Sequence, residues 1–136
     1  MIRTSYFAKY KEIKKVEGDV GVAVCLGASW WKGARYPLLA PTSEILNKWN
    51  NSLKTDKDVM EYQVEYTIKV LDKLDVHKVA KDLEGKVLLC FETPDKFCHR
   101  HLIAIWLRKN GYECKEIEVE EKWHLKDKFK EVYNNT

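Results

Sequence analysis

The segment 87–107 brings together side chains that can do chemistry. It reads VLLCFETPDKFCHRHLIAIWL, so an apolar run ends in Cys90, a short polar loop follows, and Cys-His-Arg-His at 98–101 opens a second apolar run. A thiol beside an imidazole is one way to build a nucleophile, and a guanidinium is a strong ligand for phosphate or carboxylate groups. The spacing therefore points to a site at the junction of two buried segments.

The apolar runs around this loop predict the elements that hold it. Residues 21–28 and 85–92 are short runs that each open with glycine, and neither alternates between polar and apolar positions. Such runs are typical of strands covered on both faces, as in a parallel sheet. Residues 111–121 alternate better and are predicted nearer an edge, and residues 2–8 predict a weaker fourth strand.

Helical periodicity separates these strands. Apolar residues recur about one turn apart in segments that predict helices over 41–53, 56–74, 75–85, 98–110 and 124–136. A strand, a loop and a helix followed by a further strand form a βαβ unit, whose strands lie parallel. The predicted fold class is α/β: a small Rossmann-like three-layer domain, with a mostly parallel sheet of about four strands and helices on both faces.

Length and composition narrow the class of protein. With 136 residues, 45% of them hydrophobic and 33% charged, the chain is predicted to form a single domain over 1–136. A net charge of +3 is too small to indicate a dedicated nucleic-acid binder. No apolar run approaches the roughly 18 residues of a membrane span, and the first residues lack the apolar segment of a secretory signal. We therefore expect no membrane partner and a cytoplasmic location, where cysteines stay reduced.

The loop 92–98 occupies the place where open parallel sheets bind ligands, outside the carboxyl end of a strand. The helix that follows begins with free N–H groups that carry partial positive charge, yet the sequence adds cations there. Cations at this pole are favourable if an anion binds between them. We therefore predict an anion site, with Arg100, His99 and Lys96 as ligand-binding residues.

Two residues of this region are predicted to be catalytic. The positive field would lower the pKa of Cys98 and favour its thiolate, and Glu92 leaves the strand end toward the same space, where it could act as acid or base. The start of the helix decides how strongly the field acts. If the helix begins at Thr93-Pro94, Cys98 lies one turn inside it and loses most of the benefit.

A second loop, ASWWKGARYP at 28–37, also combines aromatic and basic residues. It follows a predicted strand, so it could overhang the same edge of the sheet. Aromatic rings stack on nucleobases and cations suit phosphates, which makes Trp30, Trp31, Arg35 and Tyr36 candidate ligand-binding residues. If both loops line one pocket, the predicted function is an enzyme acting on a nucleotide or a nucleic-acid-derived substrate.

Three other interpretations stay open. The pocket could belong to a non-catalytic module that binds a nucleotide, another small anion or nucleic acid. Arg100 could pair with an acidic residue such as Glu92 and hold the loop to the sheet. A metal site could use Cys90, Cys98 and one imidazole, with Cys25 as a further ligand, although the close CxxC pairs of zinc sites are missing and no residue is assigned to a metal. The sequence identifies no cofactor and no oligomeric state.

The same motif resembles the signature of the domain of unknown function 488 family, whose members carry an LLC-x-E…CHR-x-L pattern. The matching positions are Leu88, Leu89, Cys90, Glu92, Cys98, His99, Arg100 and Leu102. The segments 36–49 and 61–74 are also similar to one branch of that family, so that the resemblance covers roughly residues 1–110. It implies an α/β, Rossmann-like fold and a small cytoplasmic protein, and it implies no activity.

Overall fold

The chain is built on a sheet of parallel strands. The computed structural model describes residues 1–93 and 96–117. In this part of the chain five strands pair in the order β3-β2-β4-β1-β5, and all four pairings are parallel. The strands are β1 (Ile2–Tyr6), β2 (Gly21–Ala23), β3 (Ala34–Arg35), β4 (Val87–Cys90) and β5 (Cys114–Glu116). The predicted α/β class with a mostly parallel sheet is confirmed, with one strand more than expected.

Within the described residues, five α-helices connect and cover these strands. They are α1 (Phe7–Glu17), α2 (Ser43–Asn50), α3 (Asp56–Lys69), α4 (Val76–Leu83) and α5 (His99–Lys109), with 3-10 turns at Pro37–Leu39 and Leu71–Lys73. The described helices are all too short and too polar to span a bilayer.

The central strand β4 contributes to a core on each face of the sheet, which explains why its sequence does not alternate. Val87 and Leu89 pack with Tyr10 and Ile13 of α1 on one face. Leu88 belongs to the larger core on the other face, which is formed with α2, α3, α4 and α5. Helices therefore cover both faces, as a three-layer domain requires.

Three helices begin with side-chain caps, and α5 does not. Thr42 caps α2, Thr55 forms a capping box with Asp58 at α3, and Asp75 caps α4. Each such cap stabilises a helix by about 1 kcal/mol. Cys98 stands at the same position of α5, yet its side chain makes no cap hydrogen bond. Helix α1 also begins without a side-chain cap, so α5 shares this feature with one other of the described α-helices.

The boundaries differ from the sequence-based expectation at several places. The predicted strand 2–8 ends at Tyr6, and α1, which was not predicted, begins at the next residue. The two-residue strand β3 was not predicted either, and the helix expected over 56–74 stops at Lys69 before a 3-10 turn. The helix predicted over 124–136 and the end of the strand predicted over 111–121 lie outside the described residues.

Candidate functional site

A cavity of about 280 Å³ opens at the carboxyl end of β2 and β4. Cys25 and Leu26, which follow β2, form part of its wall, and so do Cys90 at the end of β4 and Glu92 just beyond it. The residues 97–99 at the start of α5 complete this side. The cavity therefore lies at the edge where parallel sheets bind ligands.

Aromatic rings make up another part of the cavity wall. Trp49 of α2, Tyr62 of α3 and Phe97 line the cavity together, and Phe91 lines it next to Glu92. The first three contact one another, with ring centroids 5.0 Å apart for Tyr62 and Phe97, 5.1 Å for Trp49 and Phe97 and 5.6 Å for Trp49 and Tyr62. Their faces and edges form an apolar surface of the kind on which planar rings pack.

The sulfur of Cys98 lies at the positive end of α5. The helix begins at His99, so Cys98 is its N-cap residue and not a member of its second turn. The first turn contains no acidic residue. Because the unpaired N–H groups of a helix start carry partial positive charge, a sulfur at this position lies in a positive field.

His99 directs one ring nitrogen at the backbone and the other toward Cys98. Its Nε2 lies 2.6 Å from the carbonyl oxygen of Val24, and its Nδ1 lies 3.9 Å from Sγ of Cys98. A carbonyl oxygen can only accept a hydrogen bond, so Nε2 carries the proton. The neutral ring then presents an unprotonated Nδ1 to the sulfur.

Burial keeps this imidazole neutral. It lowers the pKa of His99 to about 4, the bond to the Val24 carbonyl raises it in part, and the neighbouring Arg100 lowers it. Burial likewise moves the pKa of His101 well below its ordinary value, again with a contribution from Arg100. At neutral pH both rings are therefore uncharged acceptors or donors and not cations. The positive charge expected from them at the start of α5 is absent.

Cys90 and Cys98 are joined by a disulfide bond. Both are buried, with 1% of Cys90 and 6% of Cys98 exposed, although both line the cavity. The expectation that the cysteines are reduced is wrong for this pair, because the end of β4 and the start of α5 bring the two sulfurs together across the loop. Cys25 and Cys114 are free cysteines.

Arg100 is buried and bound by Glu116. The side chain of Arg100 is 0% exposed and that of Glu116 is 5% exposed. Its Nε and one terminal nitrogen donate to the two carboxylate oxygens at 3.0 and 2.9 Å, while the other terminal nitrogen donates to Sγ of Cys90 at 3.1 Å. The carboxylate also accepts from Thr4 of the neighbouring strand at 2.5 Å. The acidic partner is therefore Glu116 and not Glu92, and the guanidinium is fully engaged inside the protein.

Three potential metal ligands meet at the same place. Ligand atoms of Cys90, Cys98 and His99 all lie within 4.8 Å of one another. Because Nε2 of His99 is held by Val24, the nitrogen available to an ion is Nδ1. If the disulfide were reduced, the two thiolates and the imidazole would form a ligand set that zinc accepts.

A comparison with models of known protein families identifies the family of this chain. The model of the DUF488-N3a family, described as the active DUF488-N3 subclade, matches residues 10–111, well over half of the 136 residues. The chain belongs to the DUF488-N3a family. Neither the curated proteins nor the solved structures yielded a match. The matched range includes the cavity and the disulfide, and the family description names no reaction.

The two remaining residues predicted in the 92–101 region of this DUF488-N3a chain are both exposed. Glu92 lines the cavity next to Cys90, so its carboxylate can reach the space in front of the sulfurs. Lys96 is exposed and does not line the cavity. The structure thus brings Glu92, Cys98 and His99 together, and it leaves Lys96 outside and Arg100 behind the wall.

The loop 28–37 turns away from the cavity, so the two loops do not line one pocket as expected. Trp31 donates its indole N–H to the carbonyl of Ala34 at 2.9 Å and packs on Phe7 and Tyr10 of α1. Arg35 donates to the carbonyls of Gly27, Ala28 and Trp31. These contacts fold the loop onto itself and place Trp31 on the opposite face of the sheet, whereas Tyr36 packs against the larger core.

The other aromatic residues of the loop are also engaged elsewhere. Trp30 is 57% exposed and lies edge-on to Phe7, 4.8 Å between centroids. Tyr36 donates its hydroxyl to Asp82 at 2.7 Å, and burial together with this bond raises its pKa to about 12. A ligand-binding role for the loop in this DUF488-N3a chain would therefore need a surface separate from the cavity.

Sequence reasoning missed the aromatic part of the cavity wall. Trp49 and Tyr62 are among the apolar residues of the segments 41–53 and 56–74, where aromatic residues at helical spacing are typical of a core. Both also pack against the core in the structure, so the pattern is correct but incomplete. Phe97, directly before Cys98, was the available signal, because it is a large apolar residue in an otherwise polar loop that leads to a candidate nucleophile.

Proposed function

We propose that the chain is an enzyme that uses the Cys98 thiol as a nucleophile on a ring-bearing substrate of the nucleotide class. The observation that carries the proposal is the position of the Cys98 sulfur, in the cavity wall at the start of α5 and 3.9 Å from Nδ1 of His99. A thiol beside a proton acceptor in a concave site is the arrangement that covalent catalysis needs. The disulfide with Cys90 must be reduced before this thiol can react.

His99 and the start of α5 activate the thiol in different ways: the ring accepts its proton, and the helix start stabilises the thiolate. The pKa of His99, about 4, makes Nδ1 an acceptor for the thiol proton at neutral pH and not a competing donor. A weakly basic ring does not hold that proton for long, so the thiolate needs a second source of stabilisation. The positive end of α5 supplies it, since no acidic side chain in its first turn cancels the field.

The size and lining of the cavity support a substrate with one planar ring system. A volume of about 280 Å³ lies at the small end of the roughly 300–1,000 Å³ common for ligand sites. This space suits a base or a nucleoside, and it excludes a dinucleotide. Trp49, Tyr62 and Phe97 offer the aromatic surface against which a base packs.

The proposal also assigns roles to two exposed residues, Glu92 and Lys96. Glu92 is assigned as the group that exchanges a proton with the substrate, because its side chain lines the cavity together with the two cysteines. An anionic group on the substrate would meet the N–H groups at the start of α5 and Lys96. Arg100 is assigned a positioning role, because Glu116 already occupies its guanidinium.

Turnover by the reduced chain tests the proposal. Ribonucleosides, deoxyribonucleosides and their monophosphates are incubated with the reduced protein, and products are separated by chromatography. We expect one class to be converted, with conversion abolished by Cys98→Ser and lowered about a hundredfold or more by Glu92→Gln. Cys25→Ser, a cysteine substitution in the same cavity wall, is the matched control and should keep full turnover.

Two outcomes would contradict the enzyme proposal. Turnover that survives Cys98→Ser would remove the nucleophile from the mechanism. Binding of a nucleoside that survives both Cys98→Ser and Glu92→Gln, with no product from any compound, would instead favour the non-catalytic module.

A metal-dependent function is the second candidate, and the hydrogen bond from His99 to Val24 favours it. Histidines that bind metals commonly donate their other ring N–H to a backbone carbonyl, as Nε2 of His99 does at 2.6 Å. Reduced Cys90 and Cys98 would supply two thiolates beside this imidazole, and a bound ion would act as a Lewis acid. Equilibrium dialysis against Zn²⁺ should then give one bound ion per reduced chain and none per oxidised chain, with binding weakened by His99→Gln. A reduced chain that binds no Zn²⁺ would eliminate this candidate.

A further inference from the structure

We propose that Cys98 and Cys90 form a hydroperoxide-responsive pair, in which Cys98 is oxidised first and Cys90 then closes the disulfide. This inference rests on the proposed function in one respect, namely that the Cys98 thiolate is the reactive sulfur. It adds a second reaction to the same site and assigns Cys90, which the proposed catalytic mechanism does not use.

The two sulfurs are placed by rigid elements. Cys90 is the last residue of the central strand β4, and Cys98 is the N-cap residue of α5. The disulfide between them is present while both elements keep their regular hydrogen bonding. The two Cα atoms lie 7.8 Å apart, beyond the roughly 4.4–6.8 Å that is usual across a disulfide, so we expect the backbone at the end of β4 or the start of α5 to shift when the bond closes or opens.

Each sulfur has its own polar support. Cys98 lies at the positive end of α5, next to Nδ1 of His99. Cys90 accepts a hydrogen bond at 3.1 Å from Arg100, whose guanidinium is fixed by Glu116. This hydrogen bond holds Sγ of Cys90 in place beside Sγ of Cys98, the sulfur that it would attack once Cys98 is oxidised.

At the other two cysteines burial outweighs the charge of a nearby arginine, which is Arg35 for Cys25 and Arg108 for Cys114. Burial raises the pKa of Cys25, and it raises the pKa of Cys114 to about 12. Cys25 is nevertheless more exposed than Cys98 and lines the same cavity. If exposure alone governed oxidation, Cys25 would react first, which makes it the natural internal control.

Burial also identifies the class of oxidant. Only 6% of Cys98 is exposed, and access runs through a cavity of about 280 Å³. A protein disulfide cannot bring its sulfur atoms to that depth, whereas a hydroperoxide can. The oxidant is therefore assigned as hydrogen peroxide or a small organic hydroperoxide.

The steps balance as follows. The Cys98 thiolate attacks the terminal oxygen of ROOH, the O–O bond breaks, and the leaving RO⁻ takes a proton to become ROH, so that sulfur loses two electrons and forms a sulfenic acid. The Cys90 thiolate attacks this sulfur and displaces hydroxide, which leaves as water after gaining a proton. A small dithiol then reduces the disulfide by exchange, and it is itself oxidised to a cyclic disulfide.

The experiment uses the full chain, reduced with dithiothreitol, desalted without oxygen and kept with a chelator so that no metal protects the sulfurs. One equivalent of hydrogen peroxide is added, and peptides are mapped by mass spectrometry with a dione trap for sulfenic acid. In the wild-type chain we expect a Cys90–Cys98 disulfide and unmodified Cys25 and Cys114. In Cys90→Ser the trap should label Cys98, and Cys25→Ser should behave as wild type. In Cys98→Ser oxidation of Cys90 should slow about tenfold or more.

Three results would overturn the inference. The first is oxidation of Cys90 in Cys98→Ser as fast as the disulfide forms in the wild-type chain. The second is oxidation of Cys25 before Cys98 in the wild-type chain. The third is a wild-type chain that keeps all four thiols after peroxide is added. The last two are read on the wild-type chain, so they hold even where a variant fails to fold. None of these readouts needs a nucleotide-class substrate. The disulfide reaction and the turnover are therefore measured separately, and either one can be absent while the other is observed.

Discussion

The β4–α5 junction and the loop 28–37 carry similar residue types, yet the structure uses them differently. In the loop, the guanidinium of Arg35 and the indole N–H of Trp31 are both committed to carbonyl groups of the loop itself. At the junction, Glu116 holds Arg100 and the Val24 carbonyl holds one nitrogen of His99. What remains at the junction is a pair of sulfurs and an unprotonated nitrogen at a cavity wall.

The comparison teaches that composition alone does not locate a site. Basic and aromatic residues at the carboxyl edge of a parallel sheet are compatible with both outcomes. The difference lies in which polar atoms are already paired within the protein, and in whether the unpaired ones face a cavity. Burial adds to the contrast, since Arg100 is fully buried and Arg35 is exposed.

The largest expected effect on stability comes from breaking the buried ion pair between Arg100 and Glu116. Arg100→Met leaves the carboxylate of Glu116 buried without its partner, so the free energy of unfolding should fall by about 3–5 kcal/mol. Arg35→Met removes hydrogen bonds from an exposed guanidinium and should cost about 1 kcal/mol. Urea denaturation of both variants measures the difference. Equal losses would mean that the two arginines play the same kind of role.

The next effect concerns pH. His99 has a pKa of about 4 in the folded chain against an ordinary value of 6.5, so the unfolded chain takes up a proton first as the pH falls. The stability contribution of the neutral ring is complete above pH 6.5 and is lost between pH 6.5 and 4, by up to about 3 kcal/mol. His101 acts in the same direction.

Urea denaturation at pH 7.5, 5.5 and 4.5 tests this dependence. A fall of about 2 kcal/mol in the free energy of unfolding is large enough for this method to resolve. His99→Gln should flatten the decline, while Arg35→Met in the loop should keep the wild-type slope. A wild-type chain whose stability is constant from pH 7.5 to 4.5 would show that His99 is not held neutral by burial.

A smaller effect separates the aromatic residues of the two regions. Trp49→Leu removes a ring from the cavity wall and should weaken binding of the best ribonucleoside by about 1–3 kcal/mol. Trp30→Leu, in the loop, should leave that affinity unchanged, because Trp30 does not line the cavity. Isothermal titration calorimetry measures both. A loss in Trp30→Leu with none in Trp49→Leu would move the ligand site to the loop.

The smallest expected effect lies in the loop. Tyr36→Phe removes one hydrogen bond to Asp82, which is also paired with Lys78, so the unfolding free energy should fall by less than about 1 kcal/mol. Nucleoside affinity should not change. Weaker ligand binding without a loss of stability would instead indicate that Tyr36 touches the ligand.

Much of the fold was accessible from the sequence, and the exceptions have physical causes. The run at β4 predicts a strand covered on both faces because Val87 and Leu89 face one core and Leu88 the other. Helix α1 gives a weak signal, because only Tyr10 and Ile13 of its residues are buried. Strand β3 gives none, because it consists of two exposed residues whose pairing with β2 is set by the rest of the fold.

The candidate site was predicted in part for similar reasons. Cys98, His99 and Glu92 stand out by type and spacing, and all three line the cavity. The pairing of Arg100 with Glu116 depends on the parallel register that sets Thr4 opposite Glu116, which no local pattern encodes. The location in the cell and the single domain over 1–136 stay predictions.

The rate of alkylation of each cysteine against pH tests the central claim most directly. The chain is reduced, treated with iodoacetamide at several pH values, and analysed by peptide mass spectrometry. The account predicts that Cys98 reacts faster than Cys25 at neutral pH and shows an apparent pKa below that of an ordinary thiol, although Cys25 is the more exposed of the two. A Cys98 that reacts no faster than Cys25 at any pH would contradict both the proposed nucleophile and its oxidation.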